Sequence, residues 1–282
     1  MKFLKHWRWL VPLLLFSADA HAWGLYTHVY FAQLLLWAVP LTDPRYRRII
    51  KLFPHLVMAG ACLPDLSLVG RHFGVHNLND THQWENPRAL LDNARSDEEY
   101  AIALGYASHL LVDVIAHNHF VPAHEKMWGE IPLATHAAAE WAMDFHLRAQ
   151  LFTRPDQLMR NNSDRLAQYV ARNFGCSASV AERALLFLAQ AEAGLRGSGI
   201  PQLCYRTACV LDKGVQRRFN YYLNETAARL QHINRILVGE APMWHAEPPT
   251  DQAMRERIGS VPHWQLRHRI PLPQDLFAGA ET

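Results

Sequence analysis

Apolar residues recur at three- and four-residue intervals through nearly every long segment of the chain, while the strict alternation of a half-buried strand is scarce. The pattern predicts helices over 27–38, 45–59, 98–116, 133–152, 163–173, 178–195 and 203–238. The last is marked by a buried stripe of Val215, Phe219, Tyr222, Leu230, Ile233 and Leu237. Turn formers separate these segments: Pro40 and Pro44, Gly70 and Gly74, Asn86-Pro87, Gly129, Arg154-Pro155, and the run from Gly197 to Pro201. Residues 241–282 carry Pro242, Pro248, Pro249, Pro262, Pro271 and Pro273, a spacing that predicts a tail packed on the body or partly mobile. No internal repeat is visible, and the fold class that follows is all-α.

Composition sharpens the picture at the amino terminus. Lys2, Lys5 and Arg8 precede a short apolar run from Leu10 to Phe16, interrupted only by Pro12, and Ala20-His21-Ala22 forms a small-x-small box. This is the layout of a secretory signal over 1–22, with cleavage before Trp23 and a periplasmic or secreted product. The competing reading is an uncleaved anchor, but the run is far below the roughly 20 residues a spanning helix needs. No later segment reads as long and apolar enough to span a membrane either. The remaining chain carries 25 basic and 25 acidic side chains, which gives no field for holding a polyanion non-specifically. With 282 residues, half of them apolar, it can bury a full core as one domain or two unequal ones. Cys62, Cys176, Cys204 and Cys209 could form up to two disulfides in an oxidising compartment, or remain buried thiols.

Histidine is the outlier. Of 17 in the chain, 11 fall between His28 and His146, which points to a metal site or proton chemistry in the amino-terminal half. His109 and Asp113 stand four apart on a predicted helix and so share a face, and His136 and Glu140 repeat the device on the next helix. One such pair alone is commonly an ion pair. Several of them among alanines and leucines are costly to bury without a cation, and facing pairs on adjacent helices build metal sites inside bundles.

Taken in order, Trp23-Gly24-Leu25-Tyr26-Thr27-His28, Leu63-Pro64-Asp65, Thr81-His82, His109-x3-Asp113-x5-His119 and His136-x3-Glu140 resemble the zinc-dependent phospholipase C family. That family shares its fold and trinuclear zinc site with the fungal single-strand-type nucleases. The resemblance implies a single-domain multi-helix bundle over 23–240 holding three Zn2+ ions. The first ion would take Asp65, His82, His109 and Asp113, and the second His119, His136 and Glu140. The third would take the α-amine and carbonyl of Trp23 with His28, Asp113 bridging to the first. An α-amine has a pKa near 8, so a metal deprotonates it readily, and the nitrogen is unavailable until the signal is removed.

The implied reaction is hydrolysis of glycerophospholipid to diacylglycerol and a phosphorylated head group by metal-activated hydroxide. Asp65 would orient the attack, and contact with the membrane surface would be transient. The alternatives are a single-strand nuclease or nucleotidase on the same metals, or a non-catalytic periplasmic metal-binding protein. His117 competes with His119, which spacing favours, and His76 with His82. His72, His124, Asp144 and His146 are expected to be supports or surface groups rather than ligands. Trp84, Phe73 and Tyr26 are candidates for a head-group or base pocket, or for core.

Overall fold

Helix starts in this chain are chosen by proline and by short polar caps. Asp43 caps Pro44–Leu52, where the Arg45 amide donates to its carboxylate at 2.7 Å, and Pro54, which has no N–H to give, begins Pro54–Gly60 directly after Phe53. Ser96 accepts from the Glu99 amide at 3.3 Å, and Asp97, Glu98 and Glu99 fill the positive end of the helix that follows. The computed structural model describes residues 24–129, 132–246, 256, 258–267, 272 and 275–277; the expected signal segment 1–22 and Trp23 lie outside them.

Among the described residues the α-helices are, in chain order, α1 (Leu25–Ala38), α2 (Pro44–Leu52), α3 (Pro54–Gly60), α4 (Ser67–Gly70), α5 (Glu85–Asp92), α6 (Asp97–Ile115), α7 (Val121–Trp128), α8 (Pro132–Leu147), α9 (Pro155–Asn161), α10 (Ser163–Phe174), α11 (Ala178–Ser198), α12 (Ile200–Leu211), α13 (Val215–Arg229), α14 (Ile233–Leu237) and α15 (His263–Leu266). No strand occurs among the described residues, so the fold is the expected all-α bundle. Helix α6 is its axis. From Ala101 to Ile115 every residue of it is buried, and α1, α2, α3 and α5 pack around it.

Several boundaries differ from expectation for identifiable reasons. The segment 45–59 is two helices because of Pro54, and 203–238 is broken at Asp212–Gly214. Asn86-Pro87 and Arg154-Pro155, read as turns, instead open α5 and α9, since proline is tolerated in a first helical turn. Helix α6 does not stop near 116: the chain continues as a π-helical turn, Ala116–Phe120, straight into α7. The resulting run Asp97–Trp128 is long and apolar enough by composition to cross a membrane, contrary to the sequence reading, but 94% of its apolar window is buried inside the protein. It is the core helix.

Helices α3 and α6 cross almost backbone to backbone. A Cβ on Gly105 would stand 1.9 Å from the Val57 carbonyl oxygen, and one on Gly60 would stand 2.2 Å from that of Ile102. Gly105→Ala is therefore expected to force the two helices apart, at about 1–3 kcal/mol or more. For a chain of this size that lowers the melting temperature by roughly 2–6 °C. Thermal denaturation checks this, and an unchanged midpoint would contradict the close crossing.

The four cysteines are free thiols, with Cys62 buried. Described pieces of the tail lie on the body. Leu272, Leu276 and Phe277 are buried, and the Met243 amide donates to the Leu276 carbonyl at 2.8 Å.

Candidate metal centre

The crossing of α3 and α6 sets the first side chain of the site. One turn after Gly105, His109 meets the carbonyl of Ala61 at 2.8 Å through Nδ1, which fixes its tautomer and turns Nε2 inward. The short turn Pro64–Leu66 brings Asp65 to the same place, and Thr81 ties it to the neighbouring loop by donating to the Pro64 carbonyl while lying 3.4 Å from His82 Nδ1. Helix α1 supplies His28, whose ring stacks on that of His109 with centroids 3.5 Å apart.

Asp113 stands in the middle. One of its carboxylate oxygens lies 2.9 Å from His109 Nε2 and 3.5 Å from His82 Nε2, and the other lies 3.2 Å from His28 Nε2 and 3.6 Å from His117 Nε2. Asp65 Oδ1 is 3.9 Å from both His82 Nε2 and His109 Nε2. On the far side of His117, α8 presents His136 and Glu140, with Nε2 and Oε1 2.9 Å apart. Ligand-type atoms gather in three buried groups: His28, His109 and Asp113; Asp65, His82 and His109; and His117, His136 and Glu140.

The third group departs from the expected set. Spacing favoured His119, but the structure brings His117 to His136 and Glu140, and the π-helical turn is the reason. Because the helix continues past Ile115, His117 remains one turn beyond Asp113 on the same face. His119 is buried elsewhere, edge-on to Trp244 at 6.1 Å. His82 is buried and in the cluster, whereas its competitor His76 is exposed. Trp23 is outside the described residues.

Glu125 was not singled out in the sequence. Its Oε1 lies 3.3 Å from His136 Nδ1, the back of the ring, where a carboxylate orients an imidazole ligand. The only signal was its place in the helix following His119, which is too weak to use. Asp144, expected to be a support or a surface group, is fully buried. It accepts from the Thr27 amide at 2.9 Å and the Thr27 hydroxyl at 2.7 Å, pairs with Arg196, and so clamps the first turn of α1 just before His28. His124 is buried among Phe120, Trp128 and Phe219, away from the groups above. Of the aromatic candidates, Phe73 packs on Phe187 and Tyr26 is buried beside Arg196, while Trp84 donates to the Trp244 carbonyl at 3.0 Å.

Charge and burial conflict here unless a cation is present. Burial pushes the Asp65 carboxyl up to about 8, with neighbouring Asp113 and Glu140 adding to the rise against the pull of His109. Burial likewise lifts Glu140 to about 7 despite His136. His136 is lifted to about 10 by Glu140 and Glu125, against burial. Asp113 is held well below the usual carboxylate range because His109 and His28 outweigh its burial. Asp65 Oδ1, both oxygens of Asp113, Glu140 Oε1 and both ring nitrogens of His28 are buried with no well-directed hydrogen bond. Lone pairs facing one another in a dry interior are what a divalent cation resolves, and the mixed imidazole and carboxylate donor set suits zinc.

No curated protein and no solved structure matches the chain significantly. The family model described as zinc dependent phospholipase C matches residues 27–179, more than half of the 282 and every described residue of the three groups. A phosphoric ester hydrolase with a buried site fit for several zinc ions, the chain belongs to the zinc-dependent phospholipase C family.

Proposed function

We propose that the chain is exported, trimmed after Ala22, and hydrolyses glycerophospholipids to diacylglycerol and a phosphorylated head group within one catalytic domain, 23–240, that touches the membrane transiently. The observation that carries this reading is the buried gathering of five imidazoles and three carboxylates around Asp113 in a member of this family. Asp65, His82, His109 and Asp113 would hold one zinc ion, and His136, Glu140 and His117 a second. Trp23, through its freed amine and carbonyl, would hold a third with His28 and Asp113. Bound there, zinc supplies Lewis-acid stabilisation of the phosphate and lowers the pKa of water toward neutrality.

The protein's own groups divide the remaining work. Asp113, close to four imidazoles, fixes their mutual geometry. Asp65 is the proposed catalytic residue: its buried Oδ1 faces the cluster, 3.9 Å from His82 Nε2 and His109 Nε2, a position from which it would orient attacking water. Glu125 holds His136 in place from behind.

Mature protein assayed on phosphatidylcholine, phosphatidylethanolamine and single-stranded DNA, with and without chelator, tests the reading. Chelator-sensitive release of phosphorylated head group is the expected result. Cleavage of DNA alone would replace it with the nuclease reading, and bound zinc with no turnover on either substrate would replace it with the non-catalytic one. The balanced charge of the mature chain favours lipid over nucleic acid.

The placement of His117 gives a separate prediction. His117→Ala should lose one zinc ion and at least about a hundredfold in activity, and His119→Ala should keep its zinc. Metal analysis of the two variants checks this, and the reverse pattern would return the ligand role to His119.

A further inference from the structure

Helix α12 is held from one side. It packs along α8, burying Pro201 and Ala208, and turns Leu203, Val210 and Leu211 outward with exposures of 65%, 78% and 79%. Leu203, Arg206, Thr207 and Val210 stand at i, i+3, i+4 and i+7, so they form one outer stripe, and Leu211 lies beside its end. Single exposed apolar residues are ordinary, but three large ones on a 12-residue helix are not.

The surrounding charge has one sign. Arg206, Lys213 and Arg217 are exposed around the stripe. Arg148, also exposed, lies 3.5 Å over the ring of Phe145, which meets the α12 residue Tyr205 at 5.4 Å. Between residues 197 and 217 the one carboxylate is Asp212, and it is paired with the buried Arg218. An apolar stripe bordered by cations is the composition of a helix that lies in a lipid interface, and its charge complements an anionic one.

We propose that the outer face of α12 docks the enzyme on an anionic phospholipid surface. Leu203, Val210 and Leu211 enter the boundary of the acyl chains, while Arg206, Lys213, Arg217 and Arg148 reach lipid phosphates with their stems along the apolar surface. Because α12 lies on α8, which carries His136 and Glu140, docking here holds the candidate metal centre one helix away from its substrate layer. The inference rests on the phospholipid reading and adds the surface through which that substrate is met.

Co-sedimentation with vesicles of phosphatidylcholine, or of phosphatidylcholine mixed with phosphatidylserine, tests it on the mature protein and on a Leu203→Asp, Val210→Asp, Leu211→Asp variant. The unaltered protein should partition more strongly onto the mixed vesicles, less so at high salt, and the variant should lose at least about tenfold in partition. Hydrolysis of monomeric short-chain phosphatidylcholine should stay within about twofold in the variant, which shows that it is folded. Equal partition of the two proteins, or no binding by the unaltered protein, would overturn the proposal. So would a dimer that the variant converts to monomer without loss of vesicle binding. If the unaltered protein failed on the monomeric substrate, the phospholipid reading would fall by itself, and sedimentation would still decide the docking face.

Discussion

Asp113→Ala is expected to abolish hydrolysis and to remove zinc from more than one site. Among the described residues, Asp113 is the carboxylate that lies close to four imidazoles, those of His28, His82, His109 and His117. Its loss leaves those rings without the negative charge that offsets bound cations, in an interior where burial alone opposes any charge. Metal-based charge stabilisation is worth several kcal/mol, and at ~1.4 kcal/mol per tenfold the activity should fall by about a thousandfold or more. Asp113→Asn preserves shape and removes only the charge, so it should behave nearly as badly. Turnover and zinc content measured together check the claim, and a variant that kept both would remove Asp113 from the centre.

Stripped of metal, the protein should become less stable as the pH rises from 5 to 8. Asp65 and Glu140 have folded pKa values raised to about 8 and about 7, so the folded state holds protons that the unfolded chain has released above pH 4 to 5. Their contribution is present at low pH and fades as the pH climbs through those folded values. His136, raised to about 10, acts in the same direction from its unfolded value near 6.5 upward. Asp113 is shifted the other way, but its loss of stability falls below pH 4, outside this window. The net effect is a few kcal/mol, or roughly 10 °C in melting temperature for a chain of this size. Zinc should restore most of it, and more at pH 8 than at pH 5. Melting curves of chelated and zinc-loaded protein across this range provide the check; a flat or rising profile for the metal-free form would contradict the arrangement of charges.

How much of this was legible without coordinates depends on the kind of signal. The all-α class was legible because helical periodicity is repeated in every long segment, and His109 with Asp113, like His136 with Glu140, announced a shared face by simple spacing. Proline was the main source of error in boundaries, because the same residue closes one helix at Phe53 and opens others at Pro155 and Pro201. That His117 rather than His119 stands beside His136 and Glu140 follows from the helix running on through a π-helical turn, which leaves little mark in a periodicity. The particular support given by Asp144, and any role for Glu125, were hidden for another reason. Their roles exist only across tertiary contacts, to Thr27 and Arg196 for the first and to His136 for the second. The membrane-length run through α6 shows the converse. Its composition fits a lipid span, and only the helices packed around it show that its apolar surface faces protein.

The central claim is that these buried imidazoles and carboxylates, completed by a freed tryptophan amine, hold zinc. Elemental analysis of the mature chain beginning at Trp23 tests it most directly. The account predicts close to three zinc ions per chain, removed by chelator and regained when zinc is supplied. A correctly trimmed, folded protein that carries no zinc and takes up none when it is offered would contradict it.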